Sequence, residues 1–446
     1  MKKLLYIYGV IILTLISGCS RNYPDKLYEK KPAYYSYIVG NVKSENVDEE
    51  YASEVYVTPA SCQKVVTSLI ALKALGPHYH YVTKLFVVPS KKNKKAINDI
   101  VIKFSGDPTL RDEDLLYLLK PLKNTKINGR IILDATTFQT PYYSPNIMID
   151  DIGTDYASPV SSININKNFI TLVFSPTKIG KDAVFRVNAD YKVNSNVKTT
   201  IEKTSIKLSW DGEVINAVGN INIDESLLFL PISPKTIDLY SIKKVQTILN
   251  ILGIKGKIEI INDKNNIPSN LKLINEIKSK PLKDIIKPAL KISDNSVFDS
   301  LYLTVINFYN KNDVKKWNEG DAIVKALAKE YYSIDFSDGL FVDGSGLSRY
   351  NRIQPKKLFL LLKKGITMPE FVEALARPGE DKSTLKKRTV LPSTVFAKTG
   401  NISGVSCLCG YRMDPKPKAF VIMINSFAPP KEDVFVIMDN FVKKMK

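Results

Sequence analysis

The chain has 446 residues, 44% of them hydrophobic, with a formal net charge of +19; that gives a sizeable core and length for roughly three domains at about 150 residues each. The basic excess favours polyanionic partners such as wall polymer, anionic lipid or nucleic acid, but apart from Lys91-Lys92-Asn93-Lys94-Lys95 the lysines are scattered, the pattern of a solvated surface. Two histidines, His78 and His80, and four cysteines, at 19, 62, 407 and 409, confine any His-based triad or zinc site to one His-Tyr-His segment and provide no metal motif, so neither a metal nor a cofactor is expected.

Lys2 and Lys3 precede an apolar run from Leu4 to Ile16 and then Ser17-Gly18-Cys19. Residues 1–18 read as a secretory signal peptide, shorter than a membrane span requires. The segment Ile16-Ser17-Gly18-Cys19 resembles the bacterial lipoprotein processing box, which implies lipidation of Cys19 and a membrane partner through a lipid anchor. Ser20 after the cysteine, rather than Asp, implies the outer membrane where one exists. Export makes nucleic acid the weakest of the polyanionic partners, and none is expected. Residues 20–31 are polar and suit a tether.

A strand is expected at 33–43, an acidic turn at Asp48-Glu49-Glu50 and a short strand at 54–57. Then Thr58-Pro59-Ala60-Ser61-Cys62-Gln63-Lys64, apolar residues at 65, 66, 69, 70 and 72, and the stop Gly76-Pro77 describe a helix beginning just before Ser61. Ser61 and Lys64 are three apart and share a face, so the amine can reach the hydroxyl. The amides and dipole of a helix N-terminus suit an oxyanion and favour a neutral lysine. A serine nucleophile needs this setting, and with histidine so scarce, lysine is the base to expect. Cys62 has no evident histidine to activate it and reads as a core residue.

A strand at 81–88 follows. From 89 to 268 the chain becomes a mostly β insertion of one or two units, without internal repeats. It has short alternating runs at 99–104, 130–133, 169–174, 183–187 and 206–210, an Asp211-Gly212 turn into 213–223, a helix at 235–252 and a strand at 257–261. Strand character resumes at 271–277. Residues 281–290 are helical, with Pro288 as a kink or early stop, and a helix at 297–309 follows Ser293-Asp294-Asn295. Asp343-Gly344-Ser345-Gly346 has on its own the composition of a turn. Helices at 356–362 and 369–376 lead to a strand at 394–400, a turn at 401–404, strands at 405–412 and 418–426 and a helix at 432–444, the makings of a helix-backed sheet. Cys407 and Cys409, two apart on one strand, face the same side; that geometry does not suit a bridge, so both read as buried apolar residues. The fold class is α+β, with residues 19–88 and 269–446 forming one domain around the insertion.

Ser61-Cys62-Gln63-Lys64, Ser293-Asp294-Asn295 and Lys398-Thr399-Gly400 occur in that order, opening a helix, between helices and on a strand, which matches the signature set of penicillin-binding proteins and serine β-lactamases. With Thr58-Pro59-Ala60-Ser61, Ser105-Gly106-Asp107-Pro108-Thr109-Leu110, Asp343-Gly344-Ser345-Gly346-Leu347-Ser348-Arg349 and Ser403-Gly404-Val405-Ser406, the mature chain resembles the S13 peptidases, D-alanyl-D-alanine carboxypeptidase/endopeptidases of the penicillin-binding protein 4 type. The long stretch between Ser61 and Ser293 accommodates the insertion of that group, for which ordinary β-lactamases lack room. A wall-binding lipoprotein without turnover is the other rival, and the intact motifs argue against it.

The resemblance implies an antiparallel sheet flanked by helices and cofactor-free hydrolysis of peptidoglycan stem peptides or cross-links on the periplasmic side, with β-lactams as covalent inhibitors. It implies Ser61 as nucleophile, Lys64 as proton acceptor, Ser293 as relay to the leaving amine and Asn295 as an amide for the substrate backbone. Lys398 and Thr399 would hold the substrate carboxylate, with Lys398 also pressing the Lys64 pKa down. Which lysine is the base is open within this chemistry. The N–H groups of Ser61 and Asn401 are the implied oxyanion donors, and Gly400 allows the strand edge to approach the substrate closely. Asn401 replaces the small or hydroxyl residue common at that position.

Overall fold

The computed structural model describes residues 33–445 apart from 45, 91–95, 312–313 and 429. The expected signal peptide, Cys19, the tether and the lysine cluster lie outside the described residues.

Strand β1 (Tyr34–Asn41) pairs antiparallel with β2 (Val47–Tyr51). The acidic segment expected as a turn is therefore a strand; it lies on a sheet edge with Asp48, Glu49 and Glu50 exposed, where charge discourages further pairing. The strand expected at 54–57 is reduced to one bridge between Val57 and Ile353, as Pro59 close behind it cannot donate to a ladder. A 3-10 turn, Ala60–Cys62, then leads into α1 (Gln63–Ala74). Ser61 thus sits in the tight entry turn rather than in the α-helix, because the Cys62 N–H finds Pro59 O at 3.1 Å. Ten of the twelve α1 residues are buried, so the helix runs through its domain rather than over the surface.

The inserted region contains β3 (Val82–Pro89), β4 (Ile97–Lys103), α2 (Asp112–Leu119), β5 (Lys126–Asp134), β6 (Ile170–Ser175), β7 (Val184–Val187) and β8 (Val193–Thr200). It continues with β9 (Ser205–Asp211), β10 (Val214–Asn222), β11 (Leu228–Ile232), α3 (Ile237–Ile251), β12 (Lys255–Ile261) and β13 (Lys272–Lys278). These strands form sheets ordered β12-β5-β4-β3-β13, β8-β10-β9 and β11-β6-β7. Leu115 and Leu118 of α2 and Val245 and Leu249 of α3 share a core with Ile102, Ile131 and Phe174 of the sheets. No expectation covered β8, whose sequence is mostly polar and which owes its place to parallel pairing with β10. β3 and β13, expected in the outer domain, pair with each other in the insertion's sheet. Divisions at 88/89 and 268/269 would cut between bonded strands of that sheet, so we propose 82–278 as the inserted unit.

Five helices follow: α4 (Leu282–Ile292), α5 (Asn295–Tyr309), α6 (Glu319–Tyr332), α7 (Pro355–Gly365) and α8 (Pro369–Val372). Pro288 does not end α4, which runs on to Ile292; the missing N–H removes one intrahelical bond without breaking the packed helix. Last come β14 (Val395–Ile402), β15 (Val405–Arg412), β16 (Lys418–Asn425) and α9 (Glu432–Lys444). The hairpin turn is the two residues Ser403-Gly404, shorter than expected, so Asn401 belongs to β14 and pairs with Ser406.

These strands form an antiparallel sheet ordered β14-β15-β16-β1-β2. Cys407, Cys409, Val421 and Met423 face α1 and its neighbours, whereas Leu408, Phe420, Ile422 and Ile424 face Val434, Met438 and Val442 of α9. The period of two divides the residues between the faces, and covering both faces explains why β16 is apolar almost throughout.

Ahead of β14, Arg388 donates to Oδ1 of Asp439 on α9 through Nη2 and, at 2.8 Å, through Nε; the side chains are 9% and 11% exposed. Asp439→Ala leaves the guanidinium buried and unpaired, with an expected loss of about 3–5 kcal/mol of stability. A lowered thermal midpoint is the expected readout; an unchanged midpoint would contradict the pairing.

Candidate active site

Three distant segments meet at one cleft: the turn before α1, the α4–α5 junction and the edge strand β14. α4 ends in a left-handed Ser293 (φ 64°), with Ser293 N–H donating to Leu290 O at 3.3 Å and Asp294 N–H to Ala289 O at 2.9 Å. This is a Schellman ending with serine where glycine is usual. Asp294 then caps α5, its Oδ1 accepting from Val297 N–H at 3.1 Å, and Asn295 is the first residue of the new helix. One turn between two helices therefore exposes Ser293 and Asn295 to the same space.

Lys64 is fully buried and its Nζ donates to three oxygens: Ser61 Oγ at 2.8 Å, Asn295 Oδ1 at 2.6 Å and Ser345 O at 2.6 Å. The amide and carbonyl oxygens can only accept, whereas the serine hydroxyl can also donate. A neutral amine has two N–H groups, which match the two acceptors and leave its lone pair facing the Ser61 hydroxyl. Burial first, and then the neighbouring Lys398 charge, lower Lys64 to about 7; Asp299, Asp343 and Asp294 pull the other way. Burial in turn raises the carboxyls of Asp299 and Asp343 above their ordinary value, which weakens that pull.

Lys398 is also fully buried; its Nζ donates to Thr399 O at 2.6 Å, and burial lowers it to about 8. A Cβ on Gly400 would lie 2.8 Å from Pro59 O, 2.9 Å from Cys62 N and 3.0 Å from Ser61 N, so only glycine lets β14 lie this close to the serine turn. Ala397 exchanges both backbone bonds with Ala376 on the outer edge of β14, at 2.9 and 3.1 Å. With a strand period of two, the N–H and C=O groups of Thr399 and Asn401 point to that same edge. The Asn401 side chain is tied instead to β15, its Oδ1 accepting from Ser406 Oγ at 2.8 Å.

A cleft of about 640 Å³ is lined by Ser61, Ser293, Asn295 and Asn401 together with Tyr156 and Arg349. Lys64, Lys398 and Thr399 lie beneath it as buried residues. Cys62 is buried behind the serine turn, with Sγ 3.5 Å from Lys398 O; Cys407 and Cys409 are buried and free.

The loop after α6 is more than a turn. Asp299 Oδ1 accepts from the N–H groups of Gly344 at 3.1 Å and Ser345 at 2.8 Å, and Asp343 accepts from Gly346 and Ser348, both at 2.7 Å. These bonds aim Ser345 O at Lys64. Asn295 has a partner that sequence reasoning missed: its Nδ2 donates to Tyr156 O at 2.8 Å, which fixes which end of the amide faces Lys64. Backbone carbonyls carry no side-chain signature, so neither contact had a signal in the sequence; the Asp343-Gly344-Ser345-Gly346 string was the one available clue to the loop.

A sequence profile described as the D-Ala-D-Ala carboxypeptidase 3 (S13) family matches residues 26–444. The chain is 27% identical over 413 residues to the D-alanyl-D-alanine carboxypeptidase DacB of Haemophilus influenzae, covering 88% of this chain and 85% of the relative. A D-alanyl-D-alanine carboxypeptidase of an Actinomadura species is 23% identical over 427 residues, covering 86% of this chain and 77% of that one. The crystal structure of penicillin binding protein 4 from Haemophilus influenzae superposes with a TM-score of 0.81 at 25% identity, over 94% of this chain and 98% of that one; a β-lactam complex of the same protein gives a TM-score of 0.76 with the same identity and coverage. With the profile spanning nearly all of its length, the chain belongs to the D-Ala-D-Ala carboxypeptidase 3 (S13) family of serine hydrolases.

Proposed function

We propose that this enzyme opens the bond between D-alanines of a peptidoglycan stem, or a D-alanyl cross-link, through an acyl-enzyme on Ser61, and that β-lactams acylate the same oxygen. The observation that carries this reading is the 2.8 Å contact between Lys64 Nζ and Ser61 Oγ, with two acceptor-only partners on the other sides of the amine. Ser61 Oγ attacks the carbonyl carbon as its proton passes to the Nζ lone pair. The substrate lies along the open edge of β14 as an added strand, and the N–H groups of Ser61 and Asn401 receive the oxyanion. The second N–H of Asn295 Nδ2 is left for the substrate backbone. Lys398, lowered to about 8, is mostly an ammonium at neutral pH and with Thr399 attracts the terminal carboxylate. Ser293 on the cleft wall passes its proton to the leaving amine as the C–N bond breaks and takes one back from the Lys64 ammonium, which returns Lys64 to the neutral amine. Water then attacks the ester, Lys64 takes its proton, and Ser61 Oγ departs protonated.

Acylation requires neutral Lys64, so its rate should rise with pH up to about 7; it requires charged Lys398, so it should fall above about 8. Stopped-flow acylation with a chromogenic cephalosporin checks both limbs, and a rate that keeps rising above about 8 contradicts the role of Lys398. Lys64→Arg, whose guanidinium stays protonated, should lower acylation about 10²–10⁴-fold. An unchanged rate contradicts the base assignment.

We further propose that the chain is exported and held on the periplasmic side, at the outer membrane where one exists, by lipid on Cys19. Metabolic labelling with a palmitate analogue should mark the wild type and not Cys19→Ala; equal labelling of both contradicts the anchor.

A further inference from the structure

We propose that Lys167 is a positioning residue for the catalytic lysine: the inserted region grips the α4–α5 junction from two sides, through Lys167 on Asp294 and Tyr156 O on Asn295, and so sets the partner and the charge that Lys64 meets. This rests on Lys64 as the base.

The first observation is backbone strain. Asn166, Lys167 and Asn168 are consecutive left-handed residues, with φ of 50°, 56° and 54°. L-residues visit this region singly, and a run of three is sustained only where surrounding structure enforces it. Here Asn166 N–H donates to Leu110 O at 2.9 Å, Asn168 Nδ2 donates to Pro159 O at 3.1 Å and Asn168 Oδ1 accepts from Ile165 N–H at 3.2 Å. Asparagine tolerates the conformation through such local bonds; lysine has no such reason to be there. What the turn delivers is the Lys167 ammonium, which pairs with Asp294 Oδ2.

The second observation is the double duty of Asp294. Oδ1 caps α5 while Oδ2 holds Lys167, and the side chain is 10% exposed. Its charge acts on Lys64 in the direction of protonation. The other charged groups acting on Lys64 are Lys398 from β14, Asp299 from α5 and Asp343 from the loop after α6. Beside Asp294, the groove between the insertion and α4 also presents Asp107, Arg111, Asp114, Lys278, Lys280 and Asp284, of both signs; among these groups Lys167 is the one bonded to Asp294. The Lys167 charge offsets the carboxylate and leaves the amine of Lys64 easier to deprotonate.

The test is the pH dependence of acylation by a fluorescent penicillin in the whole protein, for wild type, Lys167→Met, Lys167→Arg, Asp294→Asn and the Lys167→Met/Asp294→Asn double variant. Lys167→Met should move the acid limb up by about half a unit, roughly a 3-fold lower rate on the acid side, with the alkaline limb left in place. Lys167→Arg should restore the profile. Asp294→Asn, which keeps a capping oxygen, should move the limb down, and the double variant should return it toward wild type. A limb unmoved by Lys167→Met, or a uniform fall at every pH, overturns the role of Lys167. A wild type without a limb near neutrality overturns instead the assignment of Lys64. Should Lys167→Met not fold, Asp294→Asn alone decides, an unmoved limb again overturning the proposal.

Discussion

The constraint on which the rest depends is the burial of one lysine amine. Lys64 has no exposed surface, yet each of its polar contacts is an oxygen supplied by a different part of the chain. An unpaired ammonium there would be costly, and a fully solvated one would sit near its ordinary value and be useless as a base at neutral pH. The structure meets both conditions: it withholds water, which lowers the pKa, and supplies acceptors, which keep the amine in place whether it carries two protons or three. A carboxylate directly bonded to Nζ would have defeated this. Asp299 and Asp343 are instead kept one step away, spent on backbone N–H groups of the loop that presents Ser345 O.

The architecture serves this point. α1 runs through the domain centre, so its first turn is gripped by β14 on one side and by the α4–α5 junction on the other. β14 is an edge strand bridged on its outer side at Ala376–Ala397, and we propose that an extended substrate adds along the backbone beyond Ala397. The inserted region, separate in its sheets and core, returns to the site through the connection between β5 and β6, which carries both Tyr156 and Lys167. In our reading it is coupled to the chemistry as well as covering the cleft.

Much of this was legible in the sequence, where the information was local. The Ser61–Lys64 spacing is a helix-geometry statement, and the strands expected at 405–412 and 418–426 before a terminal helix announced a helix-backed sheet, though not that both of its faces are covered. The Lys-Thr-Gly glycine announced a close approach, although the neighbour it admits is the serine turn itself. What stayed hidden was long-range or carried by the backbone. The polar β8 and the acidic β2 are strands because of their pairing partners, and β3 and β13 belong to the insertion because they pair with each other. Burial, the largest influence on Lys64, is a property of the assembled core, whereas the sequence pointed to Lys398 and the helix dipole.

The central claim is that this buried amine makes Ser61, and not the adjacent Cys62, the reactive atom. Tandem mass spectrometry of the protein after exposure to benzylpenicillin tests it most directly. The account predicts one penicilloyl group, localised to Ser61 and absent from Ser61→Ala. An adduct on Cys62, or none while another penicillin-binding protein labels in the same tube, would contradict it.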